Sequence, residues 1–436
     1  MKLFDFSLKI NGFPIAQAKL DLNQICNLSE AKYIEFIENQ KKAIVDFHLK
    51  NNSFYRNIVD KSWNGAWQNL PVLTKKNLQQ PLENRLTSGF SKSNIYINKT
   101  SGSSGDPFVF AKCKYSHAMT WASSVYRFGW YGIDFNKSKQ ARFYGIPLDF
   151  FAYYKERFKD FLLNRFRFSV FDLSDAKLEK VLSKFSSVKF DYINGYTSSI
   201  VLFAKFLKQK NIVLINVCPT LKLCVVTSEM LFDDDKVLLE TQFGIPVVNE
   251  YGASELDLIA FENPTGDWQI NAETLFVEIL DDQNNVLPYG KCGRVVITSL
   301  FNKAHPFIRY DTGDIGILDE KSTIQEPILK KLEGRTNDIA ILPSGKKAAG
   351  LTFYYITKTI IENDGNVKEF IIKQTKIDSF EVEYVSNKKL SELQIIEIQK
   401  AIDLYLEPNL QFSFYQKSIL ARSNRGKLKQ FSSLVP

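Results

Sequence analysis

The segment Thr100-Ser101-Gly102-Ser103-Ser104-Gly105-Asp106-Pro107 carries residue types suited to anion chemistry. Glycines leave backbone N–H groups unhindered and the hydroxyls add donors, and both kinds of group wrap phosphate oxygens. No Gly-Lys-Ser/Thr follows, so this is not a Walker loop. A flexible surface loop is the competing reading of the same residues. A second segment, Asn249-Glu250-Tyr251-Gly252-Ala253-Ser254-Glu255, directly follows the apolar run IPVV. Its Glu255 is a carboxylate able to hold Mg²⁺ against a nucleotide, or a solvated residue of a strand-to-loop turn. A third, Arg309-Tyr310-Asp311-Thr312-Gly313-Asp314, offers a carboxylate suited to the two hydroxyls of a ribose. It also reads as a plain Thr-Gly-Asp turn, with Asp314 expected to be exposed. The fourth is Glu333-Gly334-Arg335-Thr336-Asn337-Asp338, followed by Ile341-Leu342-Pro343-Ser344-Gly345-Lys346. The fifth is the basic run Arg422-Ser423-Asn424-Arg425-Gly426-Lys427-Leu428-Lys429, which alone would be a solvated or electrostatic tail.

Elements must bring these segments together. Residues 29–50 show apolar positions at helical spacing, with Ser29 as a possible cap. Residues 94–97 read as a strand running into the Ser/Gly loop. Phe108–Ala111 follows as a strand, and Ser116 to about Gly129 as a helix. Residues 175–188 and 197–210 are amphipathic helices. Val213–Val217 and Leu221–Val226 are expected as buried strands, followed by helix 230–244 and strand 245–251. Strands alternating with helices indicate βαβ units and a largely parallel sheet, which places Glu255 beyond the carboxyl end of a strand, where α/β ligand sites form. From Thr274 to Ile317 the runs LFVEIL, RVVITS and DIGIL suggest an antiparallel subregion. Beyond Arg335, FYYITKTIIEN and KLSELQIIEIQKAIDLYL read as helices, and VKEFIIKQ and SFEVEYV as strands. The expected architecture is α/β: a large N-terminal domain, 1–335, with mixed parallel sheets and a β subregion, and a small mobile α+β domain, 336–436.

Composition limits the partners. The chain has 436 residues, 44% hydrophobic and 24% charged, as in ordinary soluble proteins. Its 56 Lys and Arg against 48 Asp and Glu leave a net charge of +8. That excess suits phosphate-bearing partners and is too dispersed for a nucleic-acid binder. With only His48, His117 and His305, a His-rich zinc site is disfavoured. Cys26, Cys113, Cys218, Cys224 and Cys292 form no CxxC pair and read as buried reduced thiols of a cytoplasmic protein. A metal role for Cys218 and Cys224 lacks a second pair or a histidine. The start, MKLFDFSLKI, places charge inside what would be a signal core, and no apolar run reaches membrane-span length.

Taken together, the order and spacing of the five segments resemble those of the adenylate-forming, acyl-CoA synthetase-like superfamily. Phe54-Tyr55-Arg56 and LPVLTKKNL resemble the start of phenylacetate–CoA ligases. LPSGKKAAG and SNRGKLKQF resemble the branch of capsular polysaccharide biosynthesis proteins called CapK. The resemblance runs from about residue 30 to the end.

The resemblance implies an enzyme that joins a carboxylate to ATP, giving an acyl adenylate and pyrophosphate, and then passes the acyl group to a nucleophile. It implies that Lys427 stabilises the charge developing at the α-phosphate. Thr100, Ser101, Gly102, Ser103, Ser104 and Gly105 would hold pyrophosphate, and Glu255 would bind Mg²⁺. Asp314 would bind ribose with help from Arg335. Tyr251, Gly252, Ala253 and Ser254 would lie along the nucleotide and the acyl pocket. The family hinge falls near Asn337 and Asp338. Two positions depart from the pattern: Phe108 stands where a lysine is common, and Asn337 where Asp or Lys is usual. Trp121, Trp130, Phe143 and Tyr144 are candidates for the acyl pocket or for core. The substrate would be a small carboxylic acid. The acceptor would be coenzyme A or an amino group on a sugar or amino acid, in surface polysaccharide synthesis. A non-catalytic nucleotide-binding relative is the alternative.

Overall fold

Between residues 140 and 270, short strands separated by helices build a seven-stranded sheet. Its order is Arg165–Phe168, Gln140–Phe143, Tyr192–Tyr196, Leu223–Thr227, Val247–Ala253, Asp257–Glu262, Trp268–Ile270. The first five strands are parallel and the last two antiparallel. The computed structural model describes residues 3–61, 63–100, 108–145, 150–335, 339–345, 347–349, 367–422 and 428–435. One sheet face packs on a phenylalanine-rich core that includes Phe143, Phe168, Phe185, Phe190 and Phe203. The other lies toward the helix Lys114–Gly129, where Phe128 meets Tyr192, Val225 and Val248.

A four-stranded antiparallel sheet follows in the order Leu275–Leu280, Cys292–Ser299, Tyr310–Leu318, Leu329–Arg335. It shares a core with Lys114–Gly129 and the helices Leu3–Ile10, Ile15–Cys26 and Glu30–Asn51. The antiparallel pair Ile95–Lys99 and Val109–Cys113 flanks the Ser/Gly loop. At its mouth, the Thr100 N–H donates to the Phe108 carbonyl at 2.9 Å.

Near the C-terminus, four strands lie in the order Gln411–Lys417, Ser379–Ser386, Val367–Lys376, Phe431–Ser433. The central pair is antiparallel and both outer pairings are parallel. Helix Glu392–Tyr405 covers this sheet, its start fixed by a capping box between Ser391 and Gln394. Their core includes Phe370, Val382 and Ile398, and it also takes Phe232 from the larger part of the chain. No helix of the described residues is long and apolar enough to cross a membrane.

Three expectations change. Val213–Val217 is not a strand: Leu214–Val217 makes a single helical turn. The sheet position beside Tyr192–Tyr196 belongs to Leu223–Thr227, so these apolar residues bury Leu214 without pairing. Asp314 is not exposed in a turn. It is 8% exposed, within strand Tyr310–Leu318. Of the five cysteines, Cys292 is exposed and Cys26 half-buried. The expected helix FYYITKTIIEN lies outside the described residues.

Candidate functional site

A cavity of about 780 Å³ opens where the two large sheets meet. Thr100, Gly252, Ala253, Ser254, Glu255 and Asp314 line it, so segments about 150 and 60 residues apart converge as their chemistry requires. Gly252 is required for steric reasons, since a Cβ there would stand 2.6 Å from the Asp257 carbonyl oxygen.

Two phenols orient the two carboxylates. The Tyr251 hydroxyl donates to Asp314 Oδ2 at 2.6 Å, and the Tyr310 hydroxyl donates to Glu255 Oε1 at 3.0 Å. Tyr251 thus acts on the wall of the cavity from behind it. Around Asp314 the chain is fixed locally. The Thr312 hydroxyl accepts the Asp314 N–H at 3.1 Å, Asp311 accepts the Gly313 N–H at 2.8 Å, and Gly313 takes a φ of 77°. Arg335 is the register partner of Asp314 on the neighbouring strand. Ser101, Gly102, Ser103, Ser104, Gly105, Asn337, Asp338 and Lys427 lie outside the described residues. Phe108 is fully buried, with its ring 6.2 Å from those of His305 and Phe307.

Of the four aromatic candidates, Trp121 and Tyr144 line the cavity. Phe143 is core, and Trp130 takes the Arg127 guanidinium on its ring at 4.5 Å. The apolar wall also includes residues that the motifs do not reach. Phe4 and Leu8 of the first helix line the cavity, and Phe4 meets Trp121 and Phe135 edge-on at 5.3 and 5.2 Å. His117 lines it too. Its Nε2 accepts the Trp121 indole N–H at 3.1 Å, and burial lowers its pKa to about 4, so the ring is neutral.

Polar residues missed in the sequence form a stripe on the cavity side of the parallel sheet: Gln140, Arg142, Arg165, Asn194, Thr227 and Glu250. A parallel strand covered on both faces ordinarily reads as continuous apolar residues. The alternation in QARF and RFRF was the available signal. Burial raises the Glu250 pKa, and its Oε1 accepts the Thr227 hydroxyl at 3.0 Å. Among the described residues no group of three His, Cys, Asp or Glu could hold a metal ion. A magnesium ion held by one carboxylate and substrate phosphates needs no such group, so Glu255 fits that role.

This architecture is that of the adenylate-forming CoA ligases. The crystal structure of 2-hydroxyisobutyryl-CoA ligase in the postadenylation state with 2-HIB-AMP matches with a TM-score of 0.71 at 16% identity, over 92% of this chain and 90% of that one. The same ligase with 2-HIB-AMP and CoA in the thioesterification state matches at 0.58 and 16% identity, over 93% and 90%. In sequence the chain is similar to Protein CapK of Staphylococcus aureus, 24% identical over 400 residues, covering 86% of this chain and 83% of that protein. It is also 28% identical over 130 residues to the phenylacetate-coenzyme A ligase of Pseudomonas putida, covering 28% of this chain and 29% of that protein. No protein-family profile matches the chain.

Proposed function

We propose that the protein is an AMP-forming ligase that activates a carboxylic acid with ATP and transfers the acyl group to coenzyme A or to an amine. The observation carrying this reading is the pair of phenol-held carboxylates, Glu255 and Asp314, in one cavity of an adenylate-forming ligase fold. In the first step a substrate carboxylate oxygen attacks the α-phosphorus of ATP. The bond to the bridging oxygen breaks and pyrophosphate leaves. In the second, the acceptor thiol or amine attacks the acyl carbon, loses its proton, and AMP leaves. No protein nucleophile is needed.

The obstacle is an anion attacking a polyanion, so positive groups must meet the developing charge. Lys427 serves that role at the α-phosphate. The loop 100–105 grips pyrophosphate, and Lys75 and Lys76, which also line the cavity, add positive potential. Asp314, held by Tyr251, takes the ribose hydroxyls, with Arg335 beside it. Tyr251 through Ser254 flank the nucleotide. Glu255 holds Mg²⁺, which when bound neutralises phosphate charge.

The same reading divides the chain into a large domain, 1–335, and a small mobile domain, 336–436, pivoting near Asn337 and Asp338. The better match to the postadenylation structure, 0.71 against 0.58, supports the arrangement of the first step. A role in surface polysaccharide synthesis rests on the similarity to CapK, and an ATP-consuming ligase of this kind works in the cytoplasm.

Mass spectrometry of products from ATP, mixed carboxylic acids and either coenzyme A or amines tests the proposal. AMP together with an acyl thioester or amide is expected. No AMP with any acid, and no nucleotide binding, would identify a non-catalytic relative instead.

A further inference from the structure

The polar stripe on the floor of the cavity has a use that adenylation does not require. Arg142 stands on strand Gln140–Phe143, in register with Asn194 and Arg167 on its two neighbours. That is three strands from Val247–Ala253, which carries Tyr251 through Ala253. Three strand spacings amount to roughly 14 Å. The Arg142 end of the stripe therefore lies farthest from Tyr251 through Ala253, at the end of the space left for an acyl group away from its reacting carboxylate.

The charges there are unequally paired. Asp160 Oδ1 accepts from Arg165 Nε at 2.5 Å and from Arg167 Nη2 at 3.0 Å, and Glu156 accepts from Arg167 Nη2 at 3.0 Å. Arg142 has no carboxylate within ion-pair distance among the described residues. Its guanidinium lies over the Tyr144 ring at 4.2 Å, and its Nε is buried without a hydrogen-bond partner. The remaining acid on this face, Glu250, accepts the Thr227 hydroxyl and feels the Arg142 charge without an ion-pair contact to it. Asn194 is already turned to its neighbours, donating to the Val225 carbonyl at 3.3 Å and accepting from Tyr144 and Gln140. Stacking on Tyr144, whose hydroxyl is itself held by Asn194, orients the Arg142 plane and leaves a fork that matches an oxyanion.

We infer that Arg142, with Arg165 beside it, forms a subsite for an oxyanion at the distal end of the carboxylic acid, so that the substrate is a carboxylic acid bearing a second anionic group. This rests on the proposed function for which end of the acid reacts, but binding at the subsite does not require turnover. Arg142 is half-buried with its Nε left without a hydrogen-bond partner, so an acid ending in a methyl group forfeits a charge-assisted contact that a distal oxyanion would make. The apolar wall made by Phe4, Leu8 and Trp121 then covers the carbon chain between the two ends.

The test is equilibrium binding by calorimetry to the full chain, with a non-hydrolysable ATP analogue present. The ligands are straight-chain α,ω-dicarboxylates of increasing length, the ω-phosphonocarboxylates, and the monocarboxylates of matching length. One of the dianionic series should bind about 100-fold or more tighter than its monocarboxylate match, and which series does so distinguishes a carboxylate from a phosphoryl end. Arg142→Met should collapse that ratio to near one, and Arg142→Lys should restore part of it. Equal affinity of mono- and dianionic acids for the wild type at every length, or an unchanged ratio in Arg142→Met, overturns the inference. Selective binding without AMP release by any acid would leave the subsite standing and overturn the ligase reading.

Discussion

Glu229 Oε1 accepts the backbone N–H of Leu428 at 2.8 Å while its Oε2 accepts the N–H of Ser198 at 2.7 Å. One carboxylate thus ties the residue after Lys427 to the first turn of helix Thr197–Gln209, next to Ser228, which lines the cavity. Arg422 reinforces the tie by donating to Ser198 Oγ at 3.3 Å and Glu369 Oε2 at 2.5 Å. A charge-assisted bond of this kind fixes the C-terminal segment beside the cavity.

Removing that tie should slow the first step selectively. Glu229→Ala is expected to reduce adenylate formation about 10-fold, the scale of one hydrogen bond to a charged group. Transfer from a supplied acyl adenylate should fall less. Rapid-quench assays of the separate half-reactions decide this, and equal rates in variant and wild type would remove Glu229 from the closing contact.

Tyr251→Phe deletes the donor to Asp314 Oδ2 and keeps the ring. The KM for ATP should rise by about 3- to 10-fold with kcat little affected, the worth of one net hydrogen bond. An unchanged KM would place the ribose elsewhere.

Glu255→Gln keeps an oxygen for Tyr310 to donate to and removes the charge. The Mg²⁺ concentration giving half-maximal rate should rise by about 10-fold. Wild-type activity across the whole Mg²⁺ range would show that the ion is held by other groups.

What the sequence displayed was local chemistry and periodicity. The run IPVVNEY followed by GASE placed Glu255 beyond the last parallel strand, and the structure has it there, because apolar β-branched residues can only be buried in the sheet. Asp314 was misjudged because Thr-Gly-Asp has turn chemistry, whereas here Gly313 kinks a continuing strand. Phe4 was not legible at all, and Arg142 showed only as the polar–apolar alternation of QARF. Each is one polar or apolar residue in an ordinary strand or helix. It acquires meaning only when strand order brings Arg142 to the cavity floor and packing lays the first helix across Trp121.

All three histidines should be neutral in the folded protein at physiological pH. Burial lowers His48 and His117 to about 4, and burial together with the neighbouring Arg85 lowers His305 well below its ordinary value. The unfolded chain binds these protons near pH 6.5, so each contribution is complete above about that pH and is lost as pH falls, toward about 4 for His48 and His117, at about 1.4 kcal/mol per pH unit and residue. Ring NMR spectra of the folded protein should show no histidine titrating above about pH 5. A ring with a midpoint near 6.5 would contradict the buried, non-catalytic placement of that residue.

Adenylation of a carboxylic acid by this chain is read without any acceptor by exchange of labelled pyrophosphate into ATP. Exchange should appear only with a suitable acid and fall by about 10²- to 10³-fold in Lys427→Ala, the usual cost of removing one group that stabilises transition-state charge. Exchange that is absent with every acid, or that proceeds equally well without one, would contradict it.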